Sequence, residues 1–175
     1  MTNWREIHNK YSAKLGSDYI ATPKALRIIE KSLKASVNLY NAKEVHVIEI
    51  GTGIGTIADF ISGKFKDVGY IAYETDSFCI NSIMTNLSNR HVNLITNFDN
   101  LISQIVHLKK SCLILIVDDY LNLEQTRRLV NAIRFHDFKV IIEGHRFEQR
   151  KFFVKCLYDF DSHSMGNSSE TLETR

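Results

Sequence analysis

The sequence predicts an α/β fold: a doubly wound, mainly parallel sheet with helices on both faces. Three observations predict it. From residue 44 onward, short β-branched runs alternate with segments whose apolar residues recur every three or four positions, strand first each time. The run Cys112–Val117 is continuously apolar, the pattern of a strand buried on both faces. Finally, Val45–Ile50 runs into glycines at 51, 53 and 55, a tight bend between a strand and a helix.

Residues 2–15 place Trp4, Ile7, Tyr11 and Leu15 on one helical face, and Gly16-Ser17-Asp18 ends that segment. Thr22 and Pro23 start a second helix as N-cap and first helical residue, with Leu26, Ile29, Leu33 and Val37 as its stripe. Both helices precede the first strand, where they either cover a ligand crevice or cap a sheet edge. Strand 45–50 leads to helix 54–64. Residues 69–74 read as a second strand, and Asp76 or Ser77 caps a helix to about Leu87. A third strand over 91–96 precedes a helix containing 101–108, followed by the buried strand. Residues 122–135 form a helix with Leu123, Thr126, Val130 and Ile133 inward, and 139–142 is a fifth strand ending at Glu143-Gly144. Residues 146–160 fit a helix through Phe153, Cys156, Leu157 and Phe160, or a strand through Phe152, Val154, Cys156 and Tyr158. The helix is the expectation adopted here.

These elements make a single domain: a helical cover (1–43), an α/β core (44–160) and a polar tail (161–175) expected to fray. At 175 residues the chain can bury a substantial core. A net charge of +2 without a basic block gives no support to a nucleic-acid partner. Cys79, Cys112 and Cys156 lie far apart without metal-ligand spacing, as buried free thiols in a reducing compartment do. The start is not a signal peptide and the longest apolar run is too short to cross a bilayer. A soluble, cytoplasmic protein without membrane contact is expected.

The glycine turn selects among ligands. A dinucleotide fingerprint wants glycines at its first, third and sixth positions, which here are Gly51, Gly53 and Thr56. The third glycine is instead Gly55. Glu49, two residues before the turn, suits a cationic amine or sulfonium better than a pyrophosphate, which it would repel.

Here the sequence resembles the class I S-adenosylmethionine-dependent methyltransferases, whose fold is Rossmann-like. Val47-Ile48-Glu49-Ile50-Gly51-Thr52-Gly53-Ile54-Gly55 matches their first motif, and Tyr73-Glu74 their acidic residue after the second strand. The resemblance covers about residues 44–145. It implies S-adenosyl-L-methionine as cofactor, with Glu74 on the ribose hydroxyls, a task for which a carboxylate has acceptors enough. Asn97 or Asp99 would meet the adenine edge, although Asp99 could equally cap the helix after it. The implied cofactor set is Glu49, Gly51, Thr52, Gly53, Gly55, Glu74, Thr75, Asn97, Asp99 and Asp118.

Methyl transfer is an in-line displacement, so holding the acceptor matters most and a base helps when the acceptor must lose a proton. Asp118 ends the buried strand beside the turn and is the first candidate for that base. His145 is the second, because its ordinary pKa lies near neutrality. Asp119, Tyr120 and Glu143 are nearby alternatives, Tyr120 through its ring. Arg146 and Arg150 suit an anionic acceptor group. The sequence departs from the family in three ways. No Asn/Asp-Pro-Pro-Tyr motif follows the fourth strand, which counts against methylation of base or glutamine nitrogen. Asp118-Asp119 is similar to the metal-assisted catechol-type enzymes, but no Asp-Asn pair follows the fifth strand, so no metal is expected. The closing antiparallel hairpin is hard to find after 145, so the C-terminal strands read as shortened, which leaves a homo-oligomer open. The leading reading is methyl transfer to a small-molecule or glycan-type acceptor, on oxygen. Its alternatives are an RNA methyltransferase, a non-catalytic S-adenosylmethionine-binding protein and an NAD-dependent oxidoreductase.

Overall fold

A computed structural model of the chain describes residues 3–144, 146–161 and 172–173. Two helices come first, α1 (Trp4–Ser12) and α2 (Pro23–Leu39), joined through a 3-10 turn at Ser17–Tyr19. Then β1 (Val45–Ile50), α3 (Thr56–Lys64), β2 (Gly69–Tyr73), α4 (Ser77–Asn86), β3 (Asn93–Ile95) and α5 (Phe98–His107) alternate. They are followed by β4 (Cys112–Val117), α6 (Leu123–Ile133), β5 (Asp137–Ile142), α7 (Phe147–Asp161) and the two-residue β6 (Leu172–Glu173). The sheet order is β3-β2-β1-β4-β5-β6, and every pairing is parallel.

The pleat sorts the core into two layers. Val45, Val47, Ile114, Ile116 and Ile141 face one side, where α1 to α4 contribute Tyr11, Leu26, Ile29, Leu33, Phe60 and Ile83. Ile48, Ile50, Leu113, Leu115, Val117 and Ile142 face the other, against Leu101, Ile105, Leu129, Ile133 and Phe153 of α5 to α7. Every residue of β4 is buried, as its unbroken apolar run requires. Thr22 caps α2 by accepting from the Ala25 amide, and Pro23 occupies its first turn, where a missing N–H costs nothing. All three cysteines are buried, and no disulfide joins them among the described residues. No helix among the described residues is long and apolar enough to cross a membrane.

Several boundaries differ from the sequence expectations, each for a local reason. Helix α1 stops at Ser12, so Leu15 falls beyond its face and is 84% exposed. Strand β3 is shorter than 91–96, because as the sheet's edge it pairs only with Ile71, Ala72 and Tyr73. Helix α5 starts at Phe98 because Asn97, not Asp99, is its cap, accepting from the amides of Asp99 and Asn100. Ile54 and Gly55 belong to the turn, and α3 begins only at Thr56. The ambiguous C-terminal stretch is helical, as α7. No antiparallel strand appears among the described residues. The fraying expected of the tail falls mostly on residues outside the described ones, and Leu172–Glu173 pair with Val140 and Ile141.

Candidate cofactor site

The strand order reverses between β1 and β4, and at such a switch point the strands' carboxyl ends leave a crevice. The sheet ladder itself places the residues that line it. Just past their strands, Gly51, Glu74, Asp118 and Glu143 donate their amides to Tyr73, Ile95, Ile50 and Val117 carbonyls, at 2.9, 3.1, 2.8 and 3.0 Å. Each side chain or turn there is therefore fixed by its neighbouring strand. The resulting cavity measures about 470 Å³. Its lining holds Gly51, Gly53, Cys79, Gly144 and six carboxylates: Asp18, Glu74, Asp76, Asp118, Asp119 and Glu143. Among the described residues Arg146 is the cation of this lining, and Tyr19, Ile20 and Thr22 add to the wall from the N-terminal segment.

The glycines have more specific roles than clearance for a ligand. Gly51, Gly53 and Gly55 all have positive φ, at 80°, 57° and 94°. A Cβ on Gly53 would lie 2.3 Å from the Tyr19 carbonyl oxygen, and one on Gly51 would lie 2.4 Å from Cβ of Asp119. The space beside these two is thus filled by the chain's own cover and by the loop after β4. A Cβ on Gly55 would press at 3.0 Å on Leu87 at the end of α4, so this glycine lets the turn and that helix approach closely. The Tyr19 carbonyl also accepts from the Ile54 amide at 3.4 Å. It is thus the segment between the two N-terminal helices, Asp18 to Thr22, that lies against the turn and borders the crevice.

Glu74 is 5% exposed, yet its carboxylate is held entirely by backbone. Its Oε1 accepts from the amides of Thr75 (2.8 Å) and Asp76 (2.9 Å), and its Oε2 from Gly53 (2.8 Å). A carboxylate has about four acceptor positions, so one is left unfilled by these amides on a residue that lines the cavity.

On the opposite wall, Arg146 donates to Asp118 Oδ1 at 2.8 Å and also to the Asp118 carbonyl. Burial pushes the Asp118 carboxyl above its usual range, against the pull of that guanidinium. Glu143 Oε1 accepts from the amide and hydroxyl of Thr22, at 3.2 and 3.3 Å. Burial, with Asp118 nearby, lifts the Glu143 carboxyl from 4.5 to about 7.

Of the residues expected at the site, Gly51, Gly53, Glu74, Asp118, Asp119, Glu143 and Arg146 come together in the cavity lining. The others stand differently. Glu49 is 1% exposed and lies below the turn, where the Tyr70 hydroxyl donates to its Oε2. Burial raises that carboxyl well above its ordinary value and so works against the charge that a cation contact needs. Thr52 is buried with its hydroxyl toward the Tyr73 carbonyl, and Gly55 packs on α4. Thr75 is exposed and serves through its amide on Glu74. Asn97 is spent on capping α5, and Asp99 pairs with Arg128 of α6 at 2.5 Å, so neither faces the cavity. Tyr120 turns away to pack edge-on against Phe152, with ring centroids 6.1 Å apart. Arg150 donates to the carbonyls of Ile142 and Gly144. His145 lies outside the described residues. Asp18, Tyr19, Ile20, Thr22, Asp76, Cys79 and Gly144 are the lining residues that sequence reasoning missed. The Gly16-Ser17-Asp18 break and the Thr22 cap were the available signals.

Precorrin-6y C5,15-methyltransferase from Geobacter metallireducens GS-15 is similar in structure, with a TM-score of 0.54 over 83% of this chain and 78% of that one. The chain has the class I methyltransferase fold. The two sequences are 16% identical. The plantazolicin methyltransferase in complex with SAH is also similar, with a TM-score of 0.43, 14% identity, and coverage of 89% of this chain and 70% of that one. No protein-family model and no curated protein sequence matches the chain.

Proposed function

We propose that this chain is an S-adenosylmethionine-dependent methyltransferase acting on oxygen of a small-molecule acceptor. The observation that carries this reading is the crevice itself: among the described residues, six carboxylates around one arginine at the switch point of a class I methyltransferase fold. Such a lining favours a ligand bearing positive charge and opposes the pyrophosphate of a dinucleotide. Glu74 fits the ribose of an adenosyl group, because three amides hold its carboxylate still while an acceptor position remains for a hydroxyl. S-adenosylmethionine, when bound, supplies an electrophilic methyl on a sulfonium.

The chain's own residues then divide the work. Glu74 and the turn at 51–55 orient the donor side. The segment from Asp18 to Thr22 closes over it and excludes water. Asp118 stands on the acceptor side with Oδ1 held by Arg146, which leaves Oδ2 to take a proton from an acceptor hydroxyl. Its raised pKa makes it a better proton acceptor than an ordinary aspartate.

Calorimetry with S-adenosylmethionine and S-adenosylhomocysteine tests the reading, and absence of binding by both at millimolar concentration would sink it. Asp118→Asn is expected to lower turnover by about 100-fold or more. Its affinity for S-adenosylhomocysteine should stay near that of the parent protein. Unchanged turnover would reduce Asp118 to a structural partner of Arg146.

A further inference from the structure

A second cavity, of about 280 Å³, opens on the far side of Glu143. Its walls are aliphatic: Ala25, Ile28 and Ile29 from α2, with Ile141 and Ile142 from β5. It shares Thr22, Glu143 and Gly144 with the acidic crevice, so the two hollows meet at one carboxylate.

The state of that carboxylate is unusual. Thr22 fixes Oε1 twice, through its amide and its hydroxyl, while the same hydroxyl accepts from the Ala25 amide as the cap of α2. Oε2 is buried and has no partner among the described residues. A buried oxygen without a donor is costly, and buried polar atoms left in this way call for an explanation. Nothing that caps α2 or ends β5 needs this second oxygen. It is held rigidly at the boundary between a charged crevice and an apolar pocket.

We infer that this second cavity is the acceptor pocket, and that it takes a compact apolar molecule carrying a hydroxyl or amine donor, received by Glu143 Oε2. The inference rests on the reading of the larger crevice as the cofactor site and adds the acceptor's chemistry to it. The cavity's size sits at the lower end of the about 300–1,000 Å³ typical of ligand pockets, which suits one ring with a short chain. Five aliphatic side chains offer a sugar no hydrogen bonds, so the pocket disfavours a glycan. A carboxylate acceptor would meet Glu143 with Asp118 close behind it, although Lys24, itself exposed, also borders the pocket. Glu143 acts here as a specificity-determining residue, selecting a donor over an anion.

Titration of the full chain at pH 8.5, where the Glu143 carboxyl is ionised, with its isoleucine methyl groups isotopically labelled, tests the inference by NMR. The matched probes are 4-propylphenol and 4-propylbenzoate, each with and without saturating S-adenosylhomocysteine. The phenol is expected to shift methyl signals of Ile28, Ile29 and Ile141 at concentrations at least tenfold below those the benzoate needs. Ile28→Trp, which fills the pocket from a partly buried position outside the larger crevice, should weaken the phenol at least tenfold. It should leave S-adenosylhomocysteine affinity within twofold, which also shows that the variant is folded. Glu143→Gln should shrink the phenol-over-benzoate preference to less than threefold. Absence of isoleucine shifts at millimolar phenol while S-adenosylhomocysteine binds, or equal binding of the two probes, overturns the inference. Phenol shifts at these isoleucines without S-adenosylhomocysteine binding would support the pocket's ligand class and overturn the cofactor reading instead.

Discussion

The two walls of the crevice are built by different means. The wall at β1 and β2 is made of backbone: glycines with positive φ and a glutamate gripped by three amides. The wall at β4 and β5 is made of side chains drawn from distant parts of the chain. Thr22 and Glu143 meet across 121 positions, and Asp118 and Arg146 across 28. A wall of backbone tolerates little change in shape, whereas a wall of side chains can be altered one group at a time. A donor held constant and an acceptor left variable would place the two kinds of construction in this way.

Substitutions can break or sharpen that contrast. Gly53→Val should have the largest effect, since it forces a branched side chain to positive φ and against the Tyr19 carbonyl. A loss of about 3 kcal/mol or more is expected. Thermal unfolding should show this as a fall of roughly 10 °C, accompanied by loss of S-adenosylhomocysteine binding. Next, Glu74→Gln should weaken S-adenosylhomocysteine by roughly 10–100-fold in calorimetry, because an amide nitrogen would then face backbone donors. Gly144→Ala is the corresponding change at the end of β5. Its φ is also positive, at 73°, but a Cβ there meets nothing within 4 Å. Only the backbone strain remains, so a cost of about 1 kcal/mol is expected by denaturant titration. Equal losses at 53 and 144 would erase the contrast between the walls.

The pH dependence of Glu143→Gln probes the side-chain wall in a subtler way. Glu143 holds its proton more tightly when folded, with a pKa of about 7 against an ordinary 4.5. Its contribution is therefore fully present below pH 4.5 and is lost as the pH rises through 7. Burial shifts Glu49 and Asp118 the same way, so the difference between variant and parent isolates position 143. In urea titrations, Glu143→Gln should gain on the parent between pH 4.5 and 7, and a flat difference would contradict the burial of this carboxyl. The smallest effect is expected for Asp99→Ala. Its ion pair with Arg128 is exposed on both sides, so stability should move by less than about 0.5 kcal/mol. Affinity for S-adenosylhomocysteine should change less than threefold, and a larger change would bring Asp99 into the adenine site.

The same contrast explains what could be read from the sequence. The strand, turn and helix around Gly51, Gly53 and Gly55 are contiguous, and Glu74 ends the next strand. Local pattern therefore located that wall. Thr22 was legible as a helix cap, but nothing in a helix cap announces that its hydroxyl also reaches the end of β5. Glu49 shows the reverse case. Its place before the turn suggested a ligand contact, yet strand alternation turns it into the layer of Val45 and Val47, where Tyr70 receives it. Asp99 was misplaced by two residues of helix boundary, because Asn97 won the cap. Pattern gives periodicity and local chemistry; it does not give partners that only the closed sheet brings together.

The bond from the Ile54 amide to the Tyr19 carbonyl has a consequence in time rather than in space. Ile54 is otherwise sealed in the core, and this single acceptor belongs to the cover. Lifting of the stretch from Gly16 to Thr22 would free that amide to exchange with deuterium. Its exchange rate, measured with and without S-adenosylhomocysteine, is expected to fall when the crevice is occupied, and an unchanged rate would separate this stretch from ligand release.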